Sequence, residues 1–291
     1  MAKSFRFIIV PKVAHPWYDE VRQGAEAQAQ VLSQTVGAGM TVEYLPPAVA
    51  DTHAQAAVLE QAAASSPSGI ALDPVDVVEH LEVIHRIQAA GIPIVLFDAP
   101  SPAANLTSVG NNFAEQGSIA ANRLVQLIGS AGKVAVMQGC PTAPNHHERY
   151  VAQLSVLKQN PQITIIDGGI DHDDIETARR QAAAVLAAHP DLKGYLCCNA
   201  SGPIGIASAV KAAGKSGKVK VVGMDGIRPI LEAIKEGVIE SSSATIPRVQ
   251  GSMAILMLWQ ANLGLRLPRS IDTGIEVITQ SNVDRHLAEA G

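Results

Sequence analysis

With 291 residues the chain is longer than most single domains, and its composition, 47% apolar but only 3% aromatic, is typical of the aliphatic cores of helix-covered parallel sheets. A net charge of −5 and the lack of a basic run argue against nucleic acid as a partner. No apolar stretch reaches the roughly 18 residues that a membrane-spanning helix needs.

The first part of the chain alternates short apolar runs with helical patterns. Strands are predicted over residues 5–10, 40–45, 69–72 and 93–97. Helices are predicted from near Pro16, whose ring suits a first helical turn, and over about residues 51–64 and 75–90.

A second series begins after residues 108–110. Its strands are predicted over residues 133–137, 163–167, 194–198, 219–223 and 240–245, with Asp, Pro or Gly at the joints. Strand–helix alternation with short joints implies right-handed crossovers and parallel sheets covered on both faces. Because roughly ten strands would be many for one sheet, we predict an α/β chain with two Rossmann-like lobes.

Polar and aromatic side chains follow these strands, and ligands of open parallel α/β sheets bind beyond the carboxyl ends of the strands. A sugar packs its C–H groups on aromatic rings, while its hydroxyls donate to carboxylates and accept from guanidinium or amide groups. The candidate ligand-binding residues are Lys12, His15, Trp17, Tyr18, Asp98, Arg149, Asn199, Asp225 and Arg248.

Ordinary structural roles compete with ligand binding at each position. The aromatic rings also suit core packing, the carboxylates suit caps, turns or internal ion pairs, and the amide and guanidinium groups suit turns, hinges or surface pairs. Asp98 follows an apolar strand, where an unpaired carboxylate would cost free energy. At Lys12 and His15 the ligand-binding role and the ordinary role are hardest to tell apart, since both residue types are often solvated or locally bonded. The segment His172-Asp173-Asp174 is interpreted as the cap and acidic first turn of a helix.

The strand ends carry no motif typical of an enzyme. A dinucleotide-binding loop needs Gly-x-Gly-x-x-Gly after the first strand, where this chain has Pro11-Lys12-Val13, and no phosphate loop or Gly-x-Ser-x-Gly elbow occurs. The His146-His147 pair and Cys140 match no zinc spacing, and the adjacent Cys197-Cys198 lacks the two-residue gap of a zinc knuckle. We therefore predict a non-enzymatic protein without cofactor or metal.

Six segments follow the strands in a recognisable order: His15-Pro16-Trp17-Tyr18, Asp98, Arg149, Asn199-Ala200, Val222-Gly223-Met224-Asp225-Gly226 and Ala244-Thr245-Ile246-Pro247-Arg248. In these segments the chain resembles the ribose/galactose-type periplasmic binding proteins, whose fold is also the effector domain of LacI-type repressors. Ribose-type proteins have Arg where this chain has Ala99, Gln at the position of Arg248 and Asn at that of His15. Lys12 is similar to a lysine of the branch that binds rhamnose or autoinducer-2. A pentose, a tetritol or pentitol, and a furanose-like compound therefore all remain candidate ligands.

The resemblance implies a type I periplasmic binding protein, with two lobes joined by a three-segment hinge. We expect one lobe at 1–110 plus 248–275 and the other at 111–247 plus 276–291. It also implies the monomeric solute-binding protein of an ABC sugar importer, which closes on a monosaccharide or sugar alcohol between its lobes and delivers it to the membrane permease.

The polar residues 1–7 do not form a secretory signal, so the protein is either cytoplasmic or a mature form whose signal was replaced by an added Met. With the resemblance, the expected location is the periplasm, the signal peptide being absent from this sequence. The alternatives are the effector-binding domain of a LacI-type regulator, a receptor for an autoinducer-2-like furanosyl signal, and a sensing module for a chemoreceptor or kinase.

Overall fold

The computed structural model describes residues 4–100 and 105–289. The chain divides into two compact units. Unit 1 comprises Met1–Asn111 and Ile246–Gly274, and unit 2 comprises Asn112–Thr245 and Ile275–Gly291. Each unit is built around one six-stranded sheet.

Strands and helices alternate along most of the described chain, as the sequence predicts. The strands are β1 (Ser4–Val10), β2 (Gly39–Tyr44), β3 (Gly69–Leu72), β4 (Ile94–Phe97), β5 (Thr107–Gly110), β6 (Gly132–Gln138), β7 (Ile163–Ile170), β8 (Leu192–Cys197), β9 (Lys220–Met224), β10 (Ser241–Ala244), β11 (Ser270–Asp272) and β12 (Glu276–Thr279). The helices are α1 (Pro16–Val36), α2 (Thr52–Ala64), α3 (Leu81–Ala89), α4 (Phe113–Ile128), α5 (Pro144–Lys158), α6 (Ile175–Ala188), α7 (Ser201–Ala212), α8 (Arg228–Lys235), α9 (Pro247–Asn262) and α10 (Val283–Glu289).

Both sheets have the order expected of doubly wound α/β folds. In unit 1 the order is β11-β5-β4-β3-β1-β2, and every pair is parallel. In unit 2 the order is β12-β10-β9-β8-β6-β7, and only the edge strand β12 is antiparallel to its neighbour. The prediction of two parallel-sheet α/β lobes is therefore confirmed, apart from this one edge strand.

Side-chain caps and left-handed residues set the ends of several helices. Asp51, Asn112 and Asp174 each accept a backbone N–H in the first turn of α2, α4 and α6. Helices α1 and α4 end at Gly37 and Gly129, both of which have positive φ. None of the helices that the structure describes is long and apolar enough to cross a membrane.

Helix α3 begins at Leu81 rather than near residue 75, so this prediction placed its start too early. The Asp76 carboxylate accepts the backbone N–H groups of Val78 and Glu79, which stabilises a turn at that point. The backbone N–H of Val75 donates instead to the side chain of Gln55. These side-chain bonds satisfy backbone donors outside a helix.

Glycines allow two helix pairs to pack at close range. A Cβ atom added at Gly24 of α1 would lie 2.0 Å from the carbonyl oxygen of Arg248 in α9, and one at Gly251 would lie 1.9 Å from that of Val21. In unit 2, a Cβ atom at Gly117 of α4 would lie 2.4 Å from the carbonyl oxygen of Arg149 in α5. These contacts fix the helix backbones that carry the two candidate arginines.

Candidate functional site

The carboxyl ends of β1, β3 and β4 bring polar side chains to one edge of the unit 1 sheet. We call Lys12, Tyr18, Asp73, Asp98 and Gln250 the unit 1 edge. Lys12 follows β1, Asp73 follows β3 directly, and Asp98 follows β4 directly. All five residues are buried.

Lys12, Tyr18 and Asp73 form a hydrogen-bonded triad within this edge. The Lys12 ammonium donates to Asp73 Oδ2, and the Tyr18 hydroxyl donates to the same oxygen at 2.7 Å. Lys12 Nζ also lies 3.3 Å from Tyr18 Oη. Burial raises the pKa of Asp73 to about 7, the charge of Lys12 lowers it, and the charge of Asp98 raises it. Lys12 is therefore bound internally, by an acid that was not among the candidate residues.

A buried glutamine fixes the backbone around the triad. Gln55 Nε2 donates to the carbonyl oxygens of Pro11 and Asp73, at 2.8 and 2.7 Å, and its Oε1 accepts the N–H of Val75 at 2.7 Å. Because Pro11 and Asp73 follow β1 and β3, this single side chain ties the two strand ends together.

His15, Trp17 and Tyr18 lie at the start of α1. His15 is the N-cap residue, and its Nδ1 accepts the backbone N–H of Trp17 at 3.1 Å. The Trp17 and Tyr18 rings meet edge to face at 5.1 Å, and Tyr18 meets Phe97 in the same way at 6.2 Å. The structure thus gives His15 a capping role and packs both predicted aromatics together.

Asp98 has a backbone conformation that few non-glycine residues adopt. Its φ is 45°, and its N–H donates to the carbonyl oxygen of Val109 in β5 at 2.8 Å. Its Oδ1 lies 3.5 Å from Gln250 Nε2 of α9. Non-glycine residues with positive φ cluster at functional sites, which fits the predicted role of Asp98.

The carboxyl ends of β7, β8 and β9 form a second polar edge in unit 2. We call Arg149, Asp171, Asp173, Asn199 and Asp225 the unit 2 edge. Asn199 Nδ2 donates to Asp171 Oδ1 at 2.7 Å and to Asp173 Oδ1 at 2.8 Å. Burial, and then the charge of Asp173, raise the pKa of Asp171 well above its ordinary range. The segment at residues 172–174 therefore does more than start a helix, although Asp174 does cap α6.

Asp225 repeats the backbone geometry of Asp98. Its φ is 67°, and its N–H donates to the carbonyl oxygen of Ser243 in β10 at 3.1 Å. Its Oδ1 accepts the hydroxyl of Thr245 at 2.6 Å and lies 3.3 Å from the Thr245 N–H. The carboxylate is therefore held by the residue that follows the neighbouring strand.

Arg149 is buried in α5 and is held from three sides. Its Nε donates to Gln116 Oε1 at 2.7 Å, and its Nη1 lies 3.4 Å from the carbonyl oxygen of Cys198. Its guanidinium carbon lies 4.9 Å from the centre of the Phe113 ring. Gln116 is fixed in turn by a 2.9 Å bond from its Nε2 to the carbonyl oxygen of Ser243. This planar group is held in place before any ligand arrives.

Arg248 differs from the other candidate residues because its side chain is half exposed. Its Nε donates to the carboxylate of Glu20 in α1, and 43% of its side chain is exposed. The other eight predicted residues are buried. The structure thus brings most of the candidates to the two edges and places Arg248 in a half-exposed ion pair.

Cys140, His146 and Asp173 approach one another closely enough to suggest a metal site. Their candidate ligand atoms lie within 4.8 Å of one another. However, His146 Nδ1 accepts the backbone N–H of Cys140 at 3.0 Å, so the proton of the neutral ring is on Nε2. That nitrogen lies 3.9 Å from Asp173 Oδ2. Neither ring nitrogen then offers a free lone pair, and the arrangement does not favour a metal ion.

The sequence also matches a known protein family. A family described as "Periplasmic binding protein domain" matches residues 6–264. The chain belongs to this family. The predicted resemblance is thereby confirmed, as is the prediction of a binding protein that is not an enzyme.

Proteins similar in sequence to this chain are named for the sugars that they bind. The D-allose-binding periplasmic protein of Escherichia coli K12 is 25% identical over 264 residues, which cover 87% of this chain and 83% of that protein. A D-apiose import binding protein of Paraburkholderia graminis is 26% identical over 230 residues, which cover 78% and 71%.

Solved structures of binding proteins match over nearly the whole chain. An ABC transporter solute-binding protein of Burkholderia graminis in complex with D-arabinose has a TM-score of 0.90 and 25% identity, and the match covers 97% of both chains. One of Agrobacterium vitis bound with alpha-D-tagatopyranose has a TM-score of 0.88 and 28% identity, and that match covers 98% of both chains.

Proposed function

We propose that this protein is the solute-binding protein of an ABC sugar importer and that it binds one monosaccharide or sugar alcohol. The observation that carries the proposal is the pair of polar edges, where buried carboxylates, an amide and a guanidinium group are held at the carboxyl ends of parallel strands. Such groups satisfy hydroxyls in both directions, since carboxylates accept their protons and Arg149 donates to their oxygens.

The relatives support the same class of ligand. The matched proteins are named for, or were crystallised with, neutral monosaccharides. We propose that units 1 and 2 are the two lobes of the family fold and that each edge carries sugar-binding residues. The partner that receives the sugar is the membrane permease of the importer, and the location is the periplasm.

The other candidate functions have less support. The matched relatives and structures give no support to a LacI-type regulator. A furanosyl signal shares the hydroxyl chemistry of a sugar, so it belongs in the same binding test.

The proposal is tested by a thermal-shift screen of the purified protein against aldoses, ketoses, deoxysugars, tetritols, pentitols, inositols and furanosyl signal compounds. At a thousandfold excess over its dissociation constant, a ligand adds about 4 kcal/mol to the free energy of unfolding and raises the midpoint by several degrees. We expect at least one neutral sugar or polyol to do so. A screen without any shift would overturn the proposed function.

A further inference from the structure

The Lys12–Asp73 pair in the unit 1 edge is buried completely, since neither side chain has measurable exposure. Removing two opposite charges from water costs free energy that their attraction repays only when the geometry is good. Here the geometry is supported, because the Tyr18 hydroxyl adds a second donor to the same carboxylate oxygen. Gln55 also fixes the backbone of Asp73. The folded chain therefore holds this pair in place without a ligand.

The charges of this pair balance above the Asp73 pKa of about 7, where the two groups hold one titrating proton between them. An ammonium beside a carboxylate and an amine beside a carboxylic acid both sum to zero. Asp98 lies close enough for its charge to raise the pKa of Asp73. The Lys12–Asp73 pair thus offers an approaching ligand no net positive charge.

Two buried hydrogen-bond acceptors in the unit 1 edge lack a donor. Within the described chain, Asp73 Oδ1 and Gln250 Oε1 have no hydrogen-bond partner. Each belongs to a side chain whose other polar atom bonds to a residue of the same edge. Buried acceptors without donors cost free energy, and a ligand relieves that cost only if it brings O–H or N–H groups. Hydroxyls supply such protons, whereas a carboxylate or phosphate brings further acceptors.

We propose that Asp73 is a specificity-determining residue, which neutralises Lys12 and so restricts the sugar site to uncharged, hydroxyl-rich ligands, excluding sugar acids and sugar phosphates. This inference rests on the proposed function. It assigns to Asp73 a role distinct from that of Asp98, because Asp73 acts through the charge of Lys12.

The test compares neutral aldoses with anions of the same carbon skeletons by titration calorimetry. The neutral probes are D-allose, D-ribose, D-arabinose and D-galactose, and the anions are D-allonate, D-ribonate, D-arabinonate and D-galacturonate. The wild-type protein should bind at least one aldose at least about tenfold more tightly than its anion. In Asp73→Asn the uncompensated Lys12 ammonium should reduce that preference by about tenfold or more. In Lys12→Met/Asp73→Asn, which lacks both charges, the wild-type preference should return.

The matched control is Glu43→Gln. Glu43 pairs with Arg6 at 3.1 Å on a half-exposed part of unit 1, so the same acid-to-amide change should leave the preference for neutral sugars as it is. A preference in folded Asp73→Asn within about threefold of the wild-type value would overturn the role of Asp73. So would a wild-type protein that binds an anion as tightly as its aldose, a result that stands even if Asp73→Asn fails to fold. If the wild-type protein bound none of the aldoses, ketoses or polyols, the proposed function would fall and this inference with it.

Discussion

Asp98 and Asp225 occupy matching positions in the two units. Each directly follows a buried strand, has positive φ (45° and 67°), and donates its N–H to a carbonyl oxygen of the neighbouring strand. This backbone conformation costs a non-glycine residue about 1–2 kcal/mol. Its presence in both units at the same strand end indicates that the direction of the two carboxylates matters for function.

Replacing Asp98 by Ala should weaken sugar binding by about a hundredfold or more. A carboxylate that accepts two sugar hydroxyls contributes about 1.5–3 kcal/mol for each charge-assisted bond. Titration calorimetry measures the change, and Glu60→Ala, which removes an exposed acid paired with Arg86, is the control. A loss below about threefold for Asp98→Ala would show that this carboxylate does not bind the sugar.

Replacing Arg149 by Lys should weaken binding by about tenfold or more while the fold is retained. A lysine keeps the positive charge but has no planar group to donate to Gln116 and lie over the Phe113 ring. The affinity is measured by calorimetry. The control is Arg179→Lys, which changes an exposed arginine that pairs with Glu176. Equal affinities for Arg149→Lys and the wild-type protein would contradict the role given to the guanidinium group.

The raised pKa of Asp171 should make stability depend on pH. Because the folded state holds this proton more tightly than the unfolded state, the contribution to stability is fully present below the ordinary aspartate pKa. It is lost as the pH rises through the higher pKa of the folded state. Asp171→Asn removes this loss. The melting midpoint of the variant should therefore rise relative to that of the wild-type protein as the pH increases from about 5 to about 8.

Calorimetric melting at a series of pH values between those limits tests this expectation. The control is Asp174→Asn, since the helix cap lowers the pKa of Asp174 and its titration is complete before this range. A constant difference between Asp171→Asn and the wild-type protein across the range would contradict the raised pKa.

The close contact between α1 and α9 should make Gly251→Ala destabilising. The added Cβ atom would lie 1.9 Å from the carbonyl oxygen of Val21, so one helix must move. Overpacking of this kind costs about 1–3 kcal/mol, which chemical denaturation measures. At Gly39 an added Cβ atom meets its nearest neighbour at 3.8 Å, so Gly39→Ala is the matched control. Equal stability of the two variants would show that the helices repack freely.

Much of the fold was predictable because apolar periodicity is a local property of the sequence. The strand predicted over residues 69–72 agrees with β3, and the prediction over 93–97 is one residue longer than β4. Both strands are buried apolar runs, which makes them easy to predict. Strand β11 is short and half exposed, so it has no apolar pattern that could reveal it. The early start predicted for α3 reflects long-range bonding by Gln55, which no local pattern encodes.

The candidate site was predictable where a polar residue follows a strand whose end is well marked. Asp98 and Asp225 both meet that condition. Asp73 also follows a predicted strand directly, but its role depends on Lys12, which the fold places beside it. Asp171 was missed because the Gly168-Gly169 pair suggested that the strand ends at residue 167, whereas β7 continues to Ile170. The partner of a buried lysine is set by tertiary packing and needs the structure.

The most direct test of the account is a calorimetric titration of the best neutral sugar from the thermal-shift screen into the wild-type protein, Asp98→Ala and Asp225→Ala. We expect one sugar per chain for the wild-type protein, with a dissociation constant in the micromolar range or below, and a loss of about a hundredfold or more in each variant. Binding of similar affinity in the wild-type protein and in both variants would contradict it, because the sugar would then bind without either carboxylate.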